Sequence, residues 1–176
     1  LKKLQVLPTQ KLSTMSCGQR SQVALGLLFA QDPDLLILDD FSMGLDPGYR
    51  RLFVEYLKEY ASSENKTVFL TSHIIQDMEI LIDDCMIMDY GRLLLHKPVR
   101  EIMDRFKRFR FTTPKRLDFS SDKEIWNCER LGNNWELYSF LPFREIEQRL
   151  VPYQVTGLRE ENLSLEDVFI GLTGKY

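Results

Sequence analysis

Three features of the sequence predict an α/β fold with a parallel sheet, followed by a small α+β appendage. Two short continuous apolar runs, LLIL at 35–38 and TVFL at 67–70, are bounded by turn residues, as buried parallel strands are. Segments of helical periodicity precede and follow them. From about Lys107 the pattern changes to aromatic-rich alternation with hairpin turns. Composition fits this picture: 44% hydrophobic, 28% charged and a net charge of −3 describe a packed globular chain, neither disordered nor a polycation for nucleic acid. Three scattered cysteines (Cys17, Cys85, Cys128) and two histidines give neither a zinc cluster nor a disulfide framework, which fits a reducing compartment. No apolar run approaches the ~20 residues of a membrane helix.

The elements follow in order. Gly18 stands at the entrance of a helix expected over Arg20–Gln31, with Val23, Ala24, Leu27, Leu28 and Ala30 spaced as an apolar face. Asp32-Pro33-Asp34 breaks it, and residues 35–39 form the first buried strand. Asp46 is an N-cap and Pro47 a first helical residue, opening a helix to about Tyr60 with Phe53, Tyr56, Leu57 and Tyr60 inward. ASSENK is a loop, TVFLT (67–71) the second strand, and Ile75–Ile82 a further helix. CMIMD and RLLLH around Tyr90-Gly91 read as an antiparallel hairpin.

Two neighbouring strands ending in polar residues matter, because open α/β sheets bind ligands outside those edges. Asp39-Asp40 ends the first strand and Ser72-His73 follows the second. Taken alone, an Asp pair is more often a helix cap or a solvated turn, and a lone histidine is more often structural. Paired carboxylates at a strand end also suit phosphoryl transfer: one to hold the hydration shell of Mg²⁺, one to reach the attacking water.

Taken together, these stretches resemble one family. MSCGQ (15–19) is similar to the LSGGQ signature of ATP-binding cassette (ABC) ATPases, LLILDD (35–40) to their Walker B strand, MGLDP (43–47) to their D-loop and TSH (71–73) to their H-loop, in the family's order. The tail ENLSLEDVFIGLTGKY (161–176) resembles the end of drug and multidrug exporter subunits. The resemblance implies a P-loop NTPase-like parallel sheet, ATP and Mg²⁺ as cofactors, a second nucleotide-binding subunit and a transmembrane permease as partners. It implies a cytoplasmic place at the inner face of the cell membrane. Ser16, Gly18 and Gln19 would contact ATP held by the opposite subunit. Asp39 would order Mg²⁺ through water, Asp40 would be the general base, His73 would bind the γ-phosphate, and Asp46 would couple the two sites. The position of Ser16 and Gly18 at a helix N-terminus agrees, since unpaired N–H groups there attract anions and glycine admits close approach.

The sequence departs from the family at several positions. Asp40 stands where the base is usually Glu, one methylene longer; Cys17 replaces a signature glycine, Met15 a leucine, Gln22 a basic residue and Leu27 an arginine. No GxxxxGK[ST] occurs in the chain, and no Q-loop glutamine is identifiable. The start LKKLQVLP carries neither an initiator Met nor a signal-peptide pattern. The chain is therefore expected to be the C-terminal portion of a longer cassette protein, inactive alone. In the family the P-loop strand lies between the TVFLT and CMIMD strands, so exposed strand edges are expected here.

Residues 1–106 are expected to be cassette and 107–176 an accessory domain. FKRFRFTTPKRLDF is basic, and on nucleic acid its cations would meet phosphates while Phe106, Phe109 and Phe111 stacked on bases. Alternation in RFRF favours instead a half-buried strand with Phe inward and Arg toward water, and Phe106 closing the preceding helix. Two strands flank Gly132-Asn133, FREIEQRLV is a helix, YQVTGLREE a strand, and Ser164 to Asp167 a capping box opening the last helix. Trp126 and Trp135 are both expected in the core. The function expected is ATP hydrolysis coupled to export through a separate permease, with a soluble ABC-type ATPase acting on nucleic acid or ribosomes as the alternative.

Overall fold

A computed structural model describes residues 6–7, 9–41, 45–63, 66–76 and 78–174. Leu1–Gln5 of the opening stretch, Met43 and Gly44 of the D-loop-like stretch, Glu64-Asn65 of the loop, Asp77 and the last two residues lie outside them. The chain divides into two compact units, Leu1–Asp77 and Met78–Tyr176. That division falls one hairpin and one helix before the 106/107 boundary expected between cassette and accessory domain.

In the first unit, α1 (Cys17–Ala30) starts at a Ser16 capping box and ends where Asp32 turns left-handed (φ 49°) ahead of Pro33. β1 (Leu35–Leu38) and β2 (Thr67–Leu70) pair in parallel, Leu38 opposite Leu70, with α2 (Pro47–Ala61) as their crossover. Leu36 and Leu38 point into a core with Phe53, Val54 and Leu57 of α2. Phe29, Phe41 and Tyr60 add ring contacts, Phe41 on Phe53 at 5.0 Å and Phe29 on Tyr60 at 5.3 Å.

Three expectations are corrected over residues 17–82. The strands are buried on one face only: Leu35 is 54% and Ile37 66% exposed, because this sheet has two strands and alternate side chains point to opposite faces. The buried face of α1 is Gln22, Leu25 and Gly26, while Leu27 points outward. Gln22 has no hydrogen-bond partner for its amide among the described residues, a cost of about 1–3 kcal/mol. No helix forms over 75–82 among the described residues; a single turn closes there, with the amides of Leu81 and Ile82 donating to Met78 O. That turn belongs to the second unit.

The second unit opens with the hairpin of β3 (Asp84–Asp89) and β4 (Arg92–Pro98), a sheet separate from β1 and β2. Its two-residue turn places Tyr90 at φ 44° and Gly91 at φ 74°, the left-handed pair that matches strand twist. α3 (Val99–Arg105) follows and Phe106, fully buried, caps it. β5 (Lys107–Thr112), β6 (Ile125–Leu131), β7 (Asn134–Ser139) and β8 (Thr156–Glu161) form an antiparallel sheet in the order β6-β7-β5-β8. α4 (Phe143–Leu150) contributes Ile146 and Leu150 to the sheet's core of Phe109, Phe111, Trp135 and Leu137. α5 (Leu165–Thr173) opens on the Ser164–Asp167 capping box. It approaches β7 so closely that a Cβ on Gly171 would collide with the Tyr138 ring. Trp135 is in the core as expected, whereas Trp126 lies exposed on the edge strand β6, edge-on to Phe140.

The other face of this sheet carries charge. Arg108 and Arg110 do not turn to open water as RFRF suggests: Glu161 receives Arg108 at 3.0 Å, and Glu136, 5% exposed, receives Arg110 at 2.5 Å. Tyr138 donates its hydroxyl to Glu136 at 3.0 Å. Burial, opposed by Arg108 and reinforced by Glu136, pushes the Tyr138 phenol from 10.0 up to about 12. The folded state thus keeps its proton where the unfolded chain has lost it. Stability from this group is complete below pH 10 and is lost as pH rises toward 12. Urea midpoints should fall across that window, and less steeply in Tyr138→Phe; equal slopes would refute the assignment.

Candidate active site

Ser16 N-caps α1. Its hydroxyl accepts from the Gln19 amide at 3.2 Å, and the Gln19 side chain accepts from the Ser16 amide at 3.0 Å and from the Gln10 side chain at 3.3 Å. The first intrahelical bond runs from the Arg20 amide to Ser16 O, so the amides of Cys17 and Gly18 precede the hydrogen-bond ladder. No carboxylate stands in the first turn, which leaves the positive end of a 14-residue helix uncompensated. Met15 is buried beneath this turn, and Arg20 holds its carbonyl at 2.8 Å. Bulky Met15 therefore anchors the turn from below while Ser16 and Cys17 face outward. The arrangement is ready for an anion.

Asp39, Asp40 and His73 meet at the C-terminal ends of the two parallel strands. The register that sets Leu38 beside Leu70 brings Thr71 against the acidic pair. The Thr71 amide donates to Leu38 O at 2.9 Å, and the Asp40 amide donates to Thr71 O at 3.1 Å. The Thr71 hydroxyl donates to Asp39 Oδ1 and accepts from the Asp40 amide at 3.0 Å. Asp40 adopts φ 44°, a left-handed backbone that Asp and Asn enter far more readily than Glu. Its Oδ1 lies 2.7 Å from His73 Nδ1. An Asp at position 40, where the resemblance would place Glu, thus meets a local conformation that suits the shorter residue.

Asp46 is placed apart, as the N-cap of α2: its carboxylate accepts from the amides of Gly48 at 3.0 Å and Tyr49 at 3.2 Å. Among the described residues no group of three or more His, Cys, Asp and Glu side chains gathers for a metal. One exposed strand-end carboxylate, Asp39, is a donor set suited to Mg²⁺ held largely by water and phosphate, not to a protein cage. Sequence reasoning missed Thr71. Its signal is positional: it follows β2 where the parallel register sets it beside Asp39.

An anion-ready helix N-terminus and a doubly acidic strand end facing a histidine thus sit on one α/β unit built around a parallel strand pair. Comparison with known proteins points the same way: the chain is similar to ATP-binding subunits of ABC transporters. It is 29% identical over 173 residues to the Nod factor export ATP-binding protein I of Rhizobium johnstonii, covering 94% of this chain and 54% of that protein. It is 36% identical over 80 residues to the energy-coupling factor transporter ATP-binding protein EcfA2 of Staphylococcus saprophyticus, covering 46% of this chain and 28% of that one. The thiamine import ATP-binding protein ThiQ of a Jannaschia species is 31% identical over 98 residues, 56% of this chain and 43% of its own length. Residues 8–76 match the family described as AAA domain, putative AbiEii toxin, Type IV TA system. Among solved structures, cbiO1 of Clostridium perfringens, part of the ABC transporter complex cbiONQ, is similar with a TM-score of 0.46 and 27% identity over 52% of this chain and 37% of its own. The chain spans about half the length of the Nod factor relative. No described helix is long and apolar enough to cross a membrane.

Proposed function

We propose that this chain supplies the signature-to-H-loop part of an ATP-hydrolysing ABC subunit that drives export through a separate membrane permease, from the cytoplasmic face of the membrane. Residues 1–106 serve as the cassette portion and 107–176 as an accessory domain. The observation that carries this is the meeting of Asp39, Asp40, Thr71 and His73 at adjacent ends of two parallel strands. In this role Asp40 accepts the proton of the attacking water, and His73, hydrogen-bonded to it, orients that carboxylate and faces the terminal phosphate. Asp39 would hold Mg²⁺ through its water shell, and the bound ion would neutralise charge on the phosphates. Ser16, Gly18 and Gln19 meet the nucleotide of a second subunit, and Asp46 stands between the two sites. Export, as against import, is favoured by similarity over 94% of the chain to a relative named for Nod factor export. The pairing of Arg108 and Arg110 with Glu136 and Glu161, and the burial of Phe106, Phe109 and Phe111, count against a nucleic-acid role.

The test is association in trans. Mixed with a family subunit that carries an intact P-loop, the chain should form a complex that requires ATP, read by light scattering. Ser16→Arg places bulk and positive charge at the helix N-terminus and should weaken that complex by about tenfold or more. Association that ignores ATP, or that Ser16→Arg leaves unchanged, would refute the signature assignment.

A further inference from the structure

We propose that Thr71 is a positioning residue for both carboxylates of the site, an assignment that rests on the roles given above to Asp39 and Asp40. Its hydroxyl has one proton, which goes to Asp39 Oδ1, and its lone pairs accept from the Asp40 amide at 3.0 Å. The same amide is shared with Thr71 O at 3.1 Å, and the Thr71 amide is tied to Leu38 O at 2.9 Å. One residue therefore ends the strand ladder, orients the first carboxylate and fixes the backbone of the second.

The geometry explains why a threonine does this. A β-branched side chain has few accessible χ1 rotamers, so the strand's backbone sets the place of Oγ1. Asp40 in turn holds a left-handed backbone, which persists in a non-glycine residue only when neighbours enforce it. Thr71 supplies both acceptors of the Asp40 amide, and through that backbone it aims Oδ1 at His73 Nδ1, 2.7 Å away. Without the hydroxyl, Asp39 is freed and Asp40 keeps one acceptor.

Thr71→Val keeps shape and branching and removes the hydroxyl; Thr71→Ser restores it. In the 176-residue chain, Val should raise hydrogen exchange at the Asp40 amide by about tenfold and shift the ¹⁵N signal of His73 Nδ1 toward that of a free imidazole. Ser should stay within about threefold of the parent in exchange. In the complete ATP-binding subunit, with a P-loop on the same polypeptide, Val should lower kcat by about tenfold or more with KM for MgATP nearly unchanged, and Ser should recover most of it. Parent-like exchange and ¹⁵N spectra in Val would overturn the proposal, as would altered spectra with undiminished kcat. Asp39→Asn and Asp40→Asn run in parallel separate the two ideas. If both abolish turnover while Val does not, only the Thr71 assignment fails; if neither does, the active-site reading fails and Thr71 with it.

Discussion

Replacing Asp40 by Asn in the complete ATP-binding subunit, with a P-loop on the same polypeptide, should leave ATP binding within about twofold and lower turnover by about 10²- to 10⁴-fold. Asn enters the left-handed region as readily as Asp, so the backbone at φ 44° and its amide bonds to Thr71 survive. Its Oδ1 can still accept from His73 Nδ1–H, which preserves the 2.7 Å contact. What disappears is the basicity that takes the proton from water. Undiminished hydrolysis would remove Asp40 from the base role. Asp40→Glu, although it restores the family's residue, should recover little, because Glu lacks the tolerance of Asp for this backbone.

Glu136→Ala should destabilise the second unit by about 3–5 kcal/mol. Glu136 is 5% exposed and receives Arg110 at 2.5 Å, Arg108 at 3.9 Å and the Tyr138 hydroxyl at 3.0 Å. Truncation leaves Arg108 and Arg110 to Glu161, which Arg159 also shares at 3.2 Å, with Asp167 3.8 Å from Arg108, in a partly desolvated layer. Arg110 is 33% exposed and partly screened, which points to the lower end of that range. Both tryptophans, Trp126 and Trp135, lie in residues 78–176, so their fluorescence in a urea titration reports this unit. Pairing Glu136→Leu with Arg110→Met should recover much of the loss, since the desolvation cost leaves with the charges. A loss below about 1 kcal/mol in Glu136→Ala would show that the pairs are solvated.

Much of the molecule was legible because its signals are local. Asp46-Pro47 encodes a cap and a first turn, Tyr90-Gly91 a hairpin, Ser164 to Asp167 a capping box, and each forms as expected. The corrections all concern what lies opposite a segment. LLIL reads as a strand buried on both faces, yet Ile37 is exposed because burial depends on a layer that periodicity does not specify. Ile75–Ile82 has apolar residues at helical spacing, but they form a single turn among the described residues. Short helices need tertiary support. Trp126 resembles Trp135 in type and neighbourhood; an edge strand exposes one and a central strand buries the other.

By itself the sequence determined most of the element types, the order of four ABC-like motifs and the lack of a GxxxxGK[ST] motif in these 176 residues, since these depend on residue identity and short spacing. Only the tertiary structure decided that Thr71 clamps Asp39 and Asp40, that Asp40 is left-handed against His73, and that Arg108 and Arg110 face carboxylates instead of water. Each of those joins residues 26 or more positions apart. Strand register sets such contacts, and register follows from the whole sheet, not from either segment alone.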